Sequence, residues 1–178
     1  LHYEKSASLH KSTEHWNYLS SNYYAWTRLE EAEDLSRRER TEEAKDFFQQ
    51  AANLFVEAKK SVGARLEKIE NEDEIGLAVN LVKASDVRWK YCVGRIALEE
   101  ARILDRQGNH VDSSMKYGVA ADKFQEVTEA LEDESDRQEL TPIVELSKAW
   151  QMMTKAEAEA SPTIYVEASQ LFEQAKEH

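Results

Sequence analysis

Tyr117-Gly-Val-Ala120-Ala121-Asp-Lys-Phe124 is one of three copies of a short pattern in this chain. The other two copies are Phe48-Gln-Gln-Ala51-Ala52-Asn-Leu-Phe55 and Tyr165-Val-Glu-Ala168-Ser169-Gln-Leu-Phe172, and a weaker fourth consists of Tyr3, Ser6 and His10. In each strong copy an aromatic residue is followed by alanine three positions later and by phenylalanine four positions after that. Residues three and four apart share one face of an α-helix. Each copy therefore predicts a helix whose aromatic–small–aromatic stripe packs closely against a neighbouring helix.

A second pattern precedes each strong copy at a constant distance. It is an alanine followed by a larger apolar residue three positions later: Ala32 with Leu35, Ala101 with Leu104, and Ala149 with Met152. In all three cases the alanine lies 16 residues before the first aromatic residue of the copy. The shared offset predicts a repeated unit of two helices joined by a tight turn.

Apolar residues recur at steps of three and four along most of the chain, which is typical of amphipathic helices. The alternation that would indicate strands is absent from the sequence. About seven helices are predicted, over residues 1–12, 13–38, 42–69, 72–107, 111–131, 141–159 and 162–178.

Capping signals set the boundaries of these helices. Start signals stand at Thr41, at Asn71 with Glu74, at Thr141-Pro142 and at Ser161-Pro162. Gly108-Asn109 is typical of a helix end, and the acidic residues 132–136 predict a solvated loop. One continuous helix over 72–107 is the simplest interpretation. A break at 84–86 stays open, and Asp86 would then cap the new start.

Composition and charge exclude several classes of partner. The chain has 178 residues and a net charge of −12, which argues against nucleic acids and anionic membranes because both are bound by clustered Lys and Arg. No apolar run is long enough to span a bilayer. The single cysteine, Cys92, excludes an internal disulfide and predicts a reducing, cytoplasmic setting. The sequence opens and stops inside helical patterns, so we expect it to be part of a longer chain.

The sequence offers few candidates for chemistry. His10, Glu14 and His15 share one helix turn, but no Cys or further His stands nearby at ligand spacing. Cys92 lies among apolar residues with no histidine close in sequence to activate it, so we expect a small core residue. We therefore predict no catalytic residue, no cofactor and no metal site, and hence no enzyme.

The N-terminal segment is rich in aromatic residues, namely Trp16, Tyr18, Tyr23, Tyr24 and Trp26. Rings on several faces of one helix cannot all point into one core. Two interpretations stay open: these rings form an interface with another protein, or the first and third helices cover them. The acidic helix faces likewise indicate either a solvated surface or a surface that attracts a basic partner.

The stretch Ala101-x2-Leu104-x3-Gly108-x4-Ser113-x3-Tyr117-x2-Ala120-x3-Phe124 resembles the tetratricopeptide repeat (TPR). In that family small residues stand at the positions of Ala101, Ser113 and Ala120, and glycine at that of Gly108. The copies here lie 45, 69 and 48 residues apart, against about 34 in the family. Ala97 and Glu100 stand where the family has Trp and Leu. The resemblance thus predicts TPR-like hairpins with longer helices.

The resemblance implies an all-α fold of about seven antiparallel helices, stacked as a TPR-like right-handed α-solenoid or superhelix. We expect a single repeat domain over 1–178. Its units would span 13–70, 72–131 and 141–178, and residues 1–12 would end a preceding unit. The core of the repeat is expected at Phe48, Ala51, Phe55, Ala101, Leu104, Gly108, Tyr117, Ala120, Phe124, Tyr165, Ala168 and Phe172.

The function implied by the resemblance is a non-enzymatic scaffold that binds a protein or peptide in a groove lined by the first helix of each unit. The matching groove positions are Leu29, Glu33, Leu98, Arg102, Ser147 and Trp150. These residues lack the Lys, Asn and Arg set with which TPR domains hold C-terminal carboxylates. Aromatic and apolar contacts to a partner, with a basic face on that partner, are the expectation. The partner-binding residues are predicted to be Trp16, Tyr23, Trp26, Arg102 and Trp150.

The alternative is a compact helical bundle that self-associates through the aromatic N-terminal segment. Under either interpretation we expect a monomer or a homodimer.

Overall fold

The computed structural model of the protein describes residues 2–13 and 17–176. These residues form seven α-helices and one 3-10 turn at Asn17–Leu19, with no strand among them. The helices are α1 (His2–Lys11), α2 (Ser20–Arg37), α3 (Thr41–Leu66), α4 (Glu72–Arg106), α5 (His110–Ala130), α6 (Glu134–Glu159) and α7 (Pro162–Ala175). The all-α prediction is confirmed. None of these helices combines the length and the apolar character that crossing a membrane requires.

Each helix packs against its neighbours in the sequence, from α1 on α2 to α6 on α7. The helices α2 and α4 also touch each other directly. From α2 onward the connecting segments are between two and five residues long. Such short connections make successive helices antiparallel neighbours.

The first two strong copies of the sequence pattern form the core, as predicted. Phe48, Phe55 and Phe124 have no exposed surface, and Tyr117 is 4% exposed. The alanines of both patterns are also fully buried: Ala32, Ala51, Ala101, Ala120, Ala149 and Ala168. Since alanine adds little bulk, it lets the helix backbones approach one another while the rings fill the space on either side.

The third copy is only partly in the core. Ala168 is buried, but Phe172 is half-buried and Tyr165 is 39% exposed. The prediction that Tyr165 belongs to the core is therefore wrong. The reason is that α7 packs mainly against α6 within the described residues, so its opposite face is left uncovered. In the second unit Leu104 is also only half-buried, and Gly108 is exposed, so the prediction that Gly108 belongs to the core is wrong as well.

Two of the predicted helix boundaries are stabilised by caps. The Asn71 side chain accepts a hydrogen bond from the backbone N–H of Glu74, as the sequence predicts for the start of α4. At the other end of α4, Gly108 adopts a φ of 76°, and the N–H of Asn109 donates to the carbonyl of Leu104. Glycine adopts this left-handed conformation without strain, which explains the sharp turn into α5.

The predicted start of the sixth helix at Thr141-Pro142 is wrong, and with it the predicted loop at 132–136. The helix α6 begins at Glu134, where the Asp133 carboxylate accepts from the N–H groups of Ser135 and Asp136. Pro142 lies inside α6, where it leaves the carbonyl four residues earlier without a donor. That carbonyl belongs to Gln138, which is exposed, so water can hydrate it.

Two further capping predictions are also wrong. Thr41 is the first residue of α3 rather than its cap, and its buried hydroxyl accepts from Arg106 Nη1 at 3.1 Å. The helix α4 is continuous through 84–86, which confirms the simplest interpretation of one helix over 72–107 and excludes the break that had stayed open. Asp86 forms ion pairs with Lys59 at 2.5 Å and Lys90 at 3.8 Å instead of capping a break.

Candidate functional site

A groove runs across α2, α4 and α6 and consists of two hollows that meet at the exposed Arg37. The first, here called the acidic hollow, encloses about 440 Å³ and is lined by Trp26, Leu29, Glu30, Glu33, Arg37, Arg88, Tyr91, Val127, Leu131, Asp136, Glu139, Leu140 and Ile143. The second, here called the aromatic hollow, encloses about 380 Å³ and is lined by Ser36, Arg37, Glu39, Thr41, Arg102, Asp105, Arg106, Tyr117 and Trp150.

The acidic hollow combines an apolar floor with an excess of negative charge. Four carboxylates and two guanidinium groups border it, from Glu30, Glu33, Asp136, Glu139, Arg37 and Arg88. The Arg88 guanidinium lies 4.6 Å from the centre of the Trp26 ring, a cation–π contact that holds it over the indole. A cationic side chain that enters this hollow would therefore meet a favourable field.

The aromatic hollow has a different character. Trp150 is 41% exposed, and its ring stacks on that of Tyr117 with centroids 6.2 Å apart. The ring of Phe172 lies nearly perpendicular to the same indole, with the two ring centroids 5.2 Å apart. Core contacts therefore hold this tryptophan in place, while about two fifths of its surface stays open to a ligand. Three arginines and two carboxylates share this hollow: Arg37, Arg102, Arg106, Glu39 and Asp105.

Side chains of α2 and α4 form a hydrogen-bonded cluster that borders both hollows. The Arg95 guanidinium pairs with Glu33 at 3.0 Å and donates to the hydroxyl of Ser36 at 2.9 Å. The Tyr91 hydroxyl donates to the other oxygen of Glu33 at 2.7 Å. Arg95 also lies 4.8 Å above the ring of Phe48. The cluster thus joins the two helices to the core beneath them.

Glu99 is the buried acid of this cluster and has no exposed surface. It accepts hydrogen bonds from Ser36 at 2.6 Å and from Arg102 at 3.1 Å, and Arg95 lies 3.6 Å away. A buried carboxylate is stable only when it is paired and hydrogen-bonded. These contacts therefore fix the position of α2 relative to α4, and with it the wall of the groove.

Burial in this cluster raises the pKa of Tyr91 well above its ordinary value, and the neighbouring Glu33 adds to that effect while Arg95 opposes it. The phenol consequently remains a neutral hydrogen-bond donor at physiological pH. Tyr91 acts here as a fixed polar contact at the groove floor rather than as a group that exchanges protons.

The predicted partner-binding residues separate into two sets. Trp26, Arg102 and Trp150 all line the groove. Tyr23 does not line it, because its ring stacks on His10 of α1 with centroids 4.9 Å apart. Trp16 and the side chain of Tyr18 lie outside the described residues. Among the expected groove positions, Leu29 and Glu33 also line it, whereas Leu98 and Ser147 are buried.

Several groove residues were not predicted from the sequence. Arg37 borders both hollows, and Arg88, Asp136 and Glu139 border the acidic one. Arg37 and Arg88 stand on exposed helix surfaces, where charged residues are common. Asp136 and Glu139 fell in the segment expected to be a loop or linker.

The candidates for chemistry give no nucleophile. The Cys92 thiol is fully buried, and burial raises its pKa to about 12, as befits the small core residue that was expected. Glu14 and His15 lie outside the described residues. Metal-ligating side chains do come together elsewhere in the described part of the chain, at Asp105, His110 and Glu157.

Comparison with known proteins adds nothing to this geometry. No protein-family model, no curated protein and no solved structure matches this chain.

Proposed function

We propose that the protein is a non-enzymatic interaction scaffold that binds an extended, basic segment of a partner protein in the groove across α2, α4 and α6. In this proposal the chain is a TPR-like, right-handed array of helical hairpins, α2–α3, α4–α5 and α6–α7. The observation that carries the proposal is the meeting of the two hollows at Arg37, on a face built from the first helix of each hairpin.

The pattern of helix contacts supports an array of hairpins. Each helix packs on its sequence neighbours, and the first helices of successive hairpins, α2 and α4, are joined by the cluster of Glu33, Arg95 and Glu99. In helical repeat proteins each unit contacts only its neighbours, and the first helices of the units form a concave binding surface. A groove of this kind would accept a chain segment rather than a small molecule.

The chemistry of the lining indicates what the partner carries. Lys or Arg side chains would pair with Glu30 and Glu139 in the acidic hollow, over the apolar floor formed by Leu29 and Ile143. An aromatic or aliphatic side chain of the partner would pack on the open surface of Trp150. Aromatic anchors and complementary charge are the features that determine affinity and encounter rate at protein interfaces.

Selection from a random peptide display library tests this proposal. Peptides selected on the wild-type protein are expected to be enriched in Lys, Arg and aromatic residues. They should bind the double variant Glu30→Lys with Glu139→Lys at least about tenfold more weakly, since two attractive contacts become repulsive. Affinity is measured by fluorescence anisotropy at low and at high salt, and the loss should shrink at high salt.

The matched control reverses two acidic residues outside the groove, in the double variant Glu57→Lys with Asp122→Lys. Both residues are exposed, on α3 and α5, and the control changes the net charge by the same amount. The selected peptides are expected to bind it almost as well as wild type. Equal losses in both double variants would show that only net charge matters, and the groove assignment would then fail.

The alternative, self-association through the aromatic N-terminal segment, has a separate test. In the structure Tyr23 packs on His10, and Trp26 packs on Tyr3 and Phe55, so these rings already have partners within the chain. A dimer in sedimentation experiments that dissociates on substitution of Trp26 by alanine would favour the alternative over the scaffold.

A further inference from the structure

Three helices bring an imidazole and two carboxylates to one point at the side of the molecule. His110 is the first residue of α5, Asp105 stands near the end of α4, and Glu157 near the end of α6. The Nδ1 atom of His110 lies 3.0 Å from Asp105 Oδ1 and 3.1 Å from Glu157 Oε2. The side chains of all three are about one third exposed, so an ion from solution can reach them.

A single hydrogen on His110 Nδ1 cannot make a full hydrogen bond to both carboxylates. An imidazole Nδ1 carries at most one hydrogen, and here two carboxylate oxygens would share it. The three ligand atoms lie within 4.8 Å of one another, close enough for one metal ion to draw them together. Two ligands at about 2.1 Å from a tetrahedral ion are ~3.4 Å from each other, so the two observed separations would have to widen by only ~0.3–0.4 Å.

The two carboxylates also lack a cationic partner. Within the described part of the chain, neither Asp105 nor Glu157 forms an ion pair with a lysine or arginine. The arginines that flank Asp105 on α4 are engaged elsewhere, Arg102 with Glu99 and Arg106 with the hydroxyl of Thr41. Negative charge is therefore left at this point, on a chain whose net charge is already −12. Both conditions favour a cation.

We propose that Asp105, His110 and Glu157 bind a divalent first-row transition ion, of which Zn²⁺ is the best fit, with water completing its coordination. One imidazole nitrogen and two carboxylate oxygens suit Zn²⁺ better than Ca²⁺ or Mg²⁺, which take all-oxygen sites. The ion would tie the α4–α5 turn to the end of α6, and so hold the second hairpin against the third. Of the three ligands Asp105 also borders the aromatic hollow, whereas His110 and Glu157 line neither hollow of the groove.

Isothermal titration of the chelator-treated protein with ZnCl₂ tests this site. One Zn²⁺ is expected to bind per chain, and the affinity should fall at least about tenfold in His110→Gln and in Asp105→Asn with Glu157→Gln. Binding should also weaken on acidification, since a protonated imidazole cannot act as a ligand. Titration with Co²⁺ is expected to produce visible absorption bands in wild type that are absent from His110→Gln.

The matched control is His2→Gln, which removes an exposed histidine of α1 and leaves the three ligands intact. It should bind Zn²⁺ as wild type does. Circular dichroism checks that each variant is folded. If His110→Gln does not fold, the double variant Asp105→Asn with Glu157→Gln tests the site in its place. The proposal would be overturned if wild type did not bind Zn²⁺ stoichiometrically. It would also be overturned if His110→Gln and the variant Asp105→Asn with Glu157→Gln bound Zn²⁺ as tightly as wild type does.

Discussion

Ser36 on α2 donates a 2.6 Å hydrogen bond to Glu99 on α4, whose carboxylate is fully enclosed by the protein. The same hydroxyl accepts from Arg95 at 2.9 Å. One small side chain thus connects an anion and a cation that belong to the neighbouring helix. Together with the contacts of Glu33 to Arg95 and Tyr91, this link defines how the two walls of the groove stand relative to each other.

Replacing Glu99 by alanine should strongly destabilise the fold. The change would remove the buried acceptor of Ser36 and Arg102. It would also remove one of the two carboxylates beside Arg95, which keeps its 3.0 Å pair with Glu33. Each lost hydrogen bond to a charged group costs about 1.5–3 kcal/mol. Urea denaturation followed by circular dichroism measures the free energy of unfolding.

The neighbouring residue provides the control for this prediction. Glu100 pairs with Lys116 at 2.6 Å, but both side chains are partly exposed, so Glu100→Ala should cost no more than about 1 kcal/mol. Similar losses in the two variants would contradict a structural role for the buried cluster.

Enlarging a stripe alanine should overpack a helix contact. Ala51 and Ala120 have no exposed surface, so substitution of either by leucine is expected to destabilise the protein by about 1–3 kcal/mol. The exposed Ala84 on α4 is the control, and Ala84→Leu should change stability by no more than about 0.5 kcal/mol. Unchanged melting temperatures in both stripe variants would mean that the stripe does not mediate close packing.

Two helical glycines should respond to alanine in opposite directions. A Cβ atom on Gly94 would lie 2.9 Å from the ring of the buried Phe124, whereas one on Gly63 would meet nothing within 4 Å. Alanine gains about 1 kcal/mol over glycine in a helix, so Gly63→Ala should stabilise the protein. At Gly94 the clash is expected to exceed that gain, because overpacking costs about 1–3 kcal/mol. Thermal unfolding of the two variants measures both changes. If both variants had a higher melting temperature than wild type, or both a lower one, this account of α4–α5 packing would be wrong.

Stability should fall at alkaline pH. Burial raises the pKa of Cys92 from its ordinary value of 9.0 to about 12, and that of Tyr117 from 10.0 to about 12. Between each ordinary value and about 12 the unfolded chain has released a proton that the folded protein still holds. The free energy of unfolding therefore decreases as pH rises through this window and is unaffected below pH 9.

The variants Tyr117→Phe and Cys92→Ala isolate these two contributions. Each should flatten the alkaline decline of the free energy of unfolding, measured by urea denaturation at a series of pH values. Identical slopes in wild type and both variants would show that neither group is responsible.

The sequence predicts the helices and the core of the first two hairpins because both follow from local spacing. Phe48, Ala51 and Phe55 are three and four residues apart, and helical geometry alone places them on one buried face. The start at Thr141-Pro142 could not be excluded locally, since proline suits a first turn. The helix starts earlier because the Asp133 side chain caps it. Whether this cap or a later start is the more stable depends on the packing of residues 134–141.

The groove and the metal-ligand set depend on which helices meet in space. Arg37 and Glu139 stand on different helices, and nothing in their local sequence sets them apart from other surface charges. Asp105, His110 and Glu157 likewise come from three helices, so their spacing in the sequence matches no ligand motif. Trp26 was predicted from the cluster of aromatic residues in the N-terminal segment, and Trp150 from a groove position that the TPR resemblance implies.

The most direct measurement of the proposed function is an NMR titration of ¹⁵N-labelled protein with a peptide selected from the library. The indole N–H signals of Trp26 and Trp150, which line the two hollows, are expected to shift, whereas that of Trp89, which faces the cavity between α3 and α4, should stay in place. A titration in which Trp89 alone moves, or in which Trp26 and Trp150 both stay fixed while the peptide binds, would contradict binding in the groove.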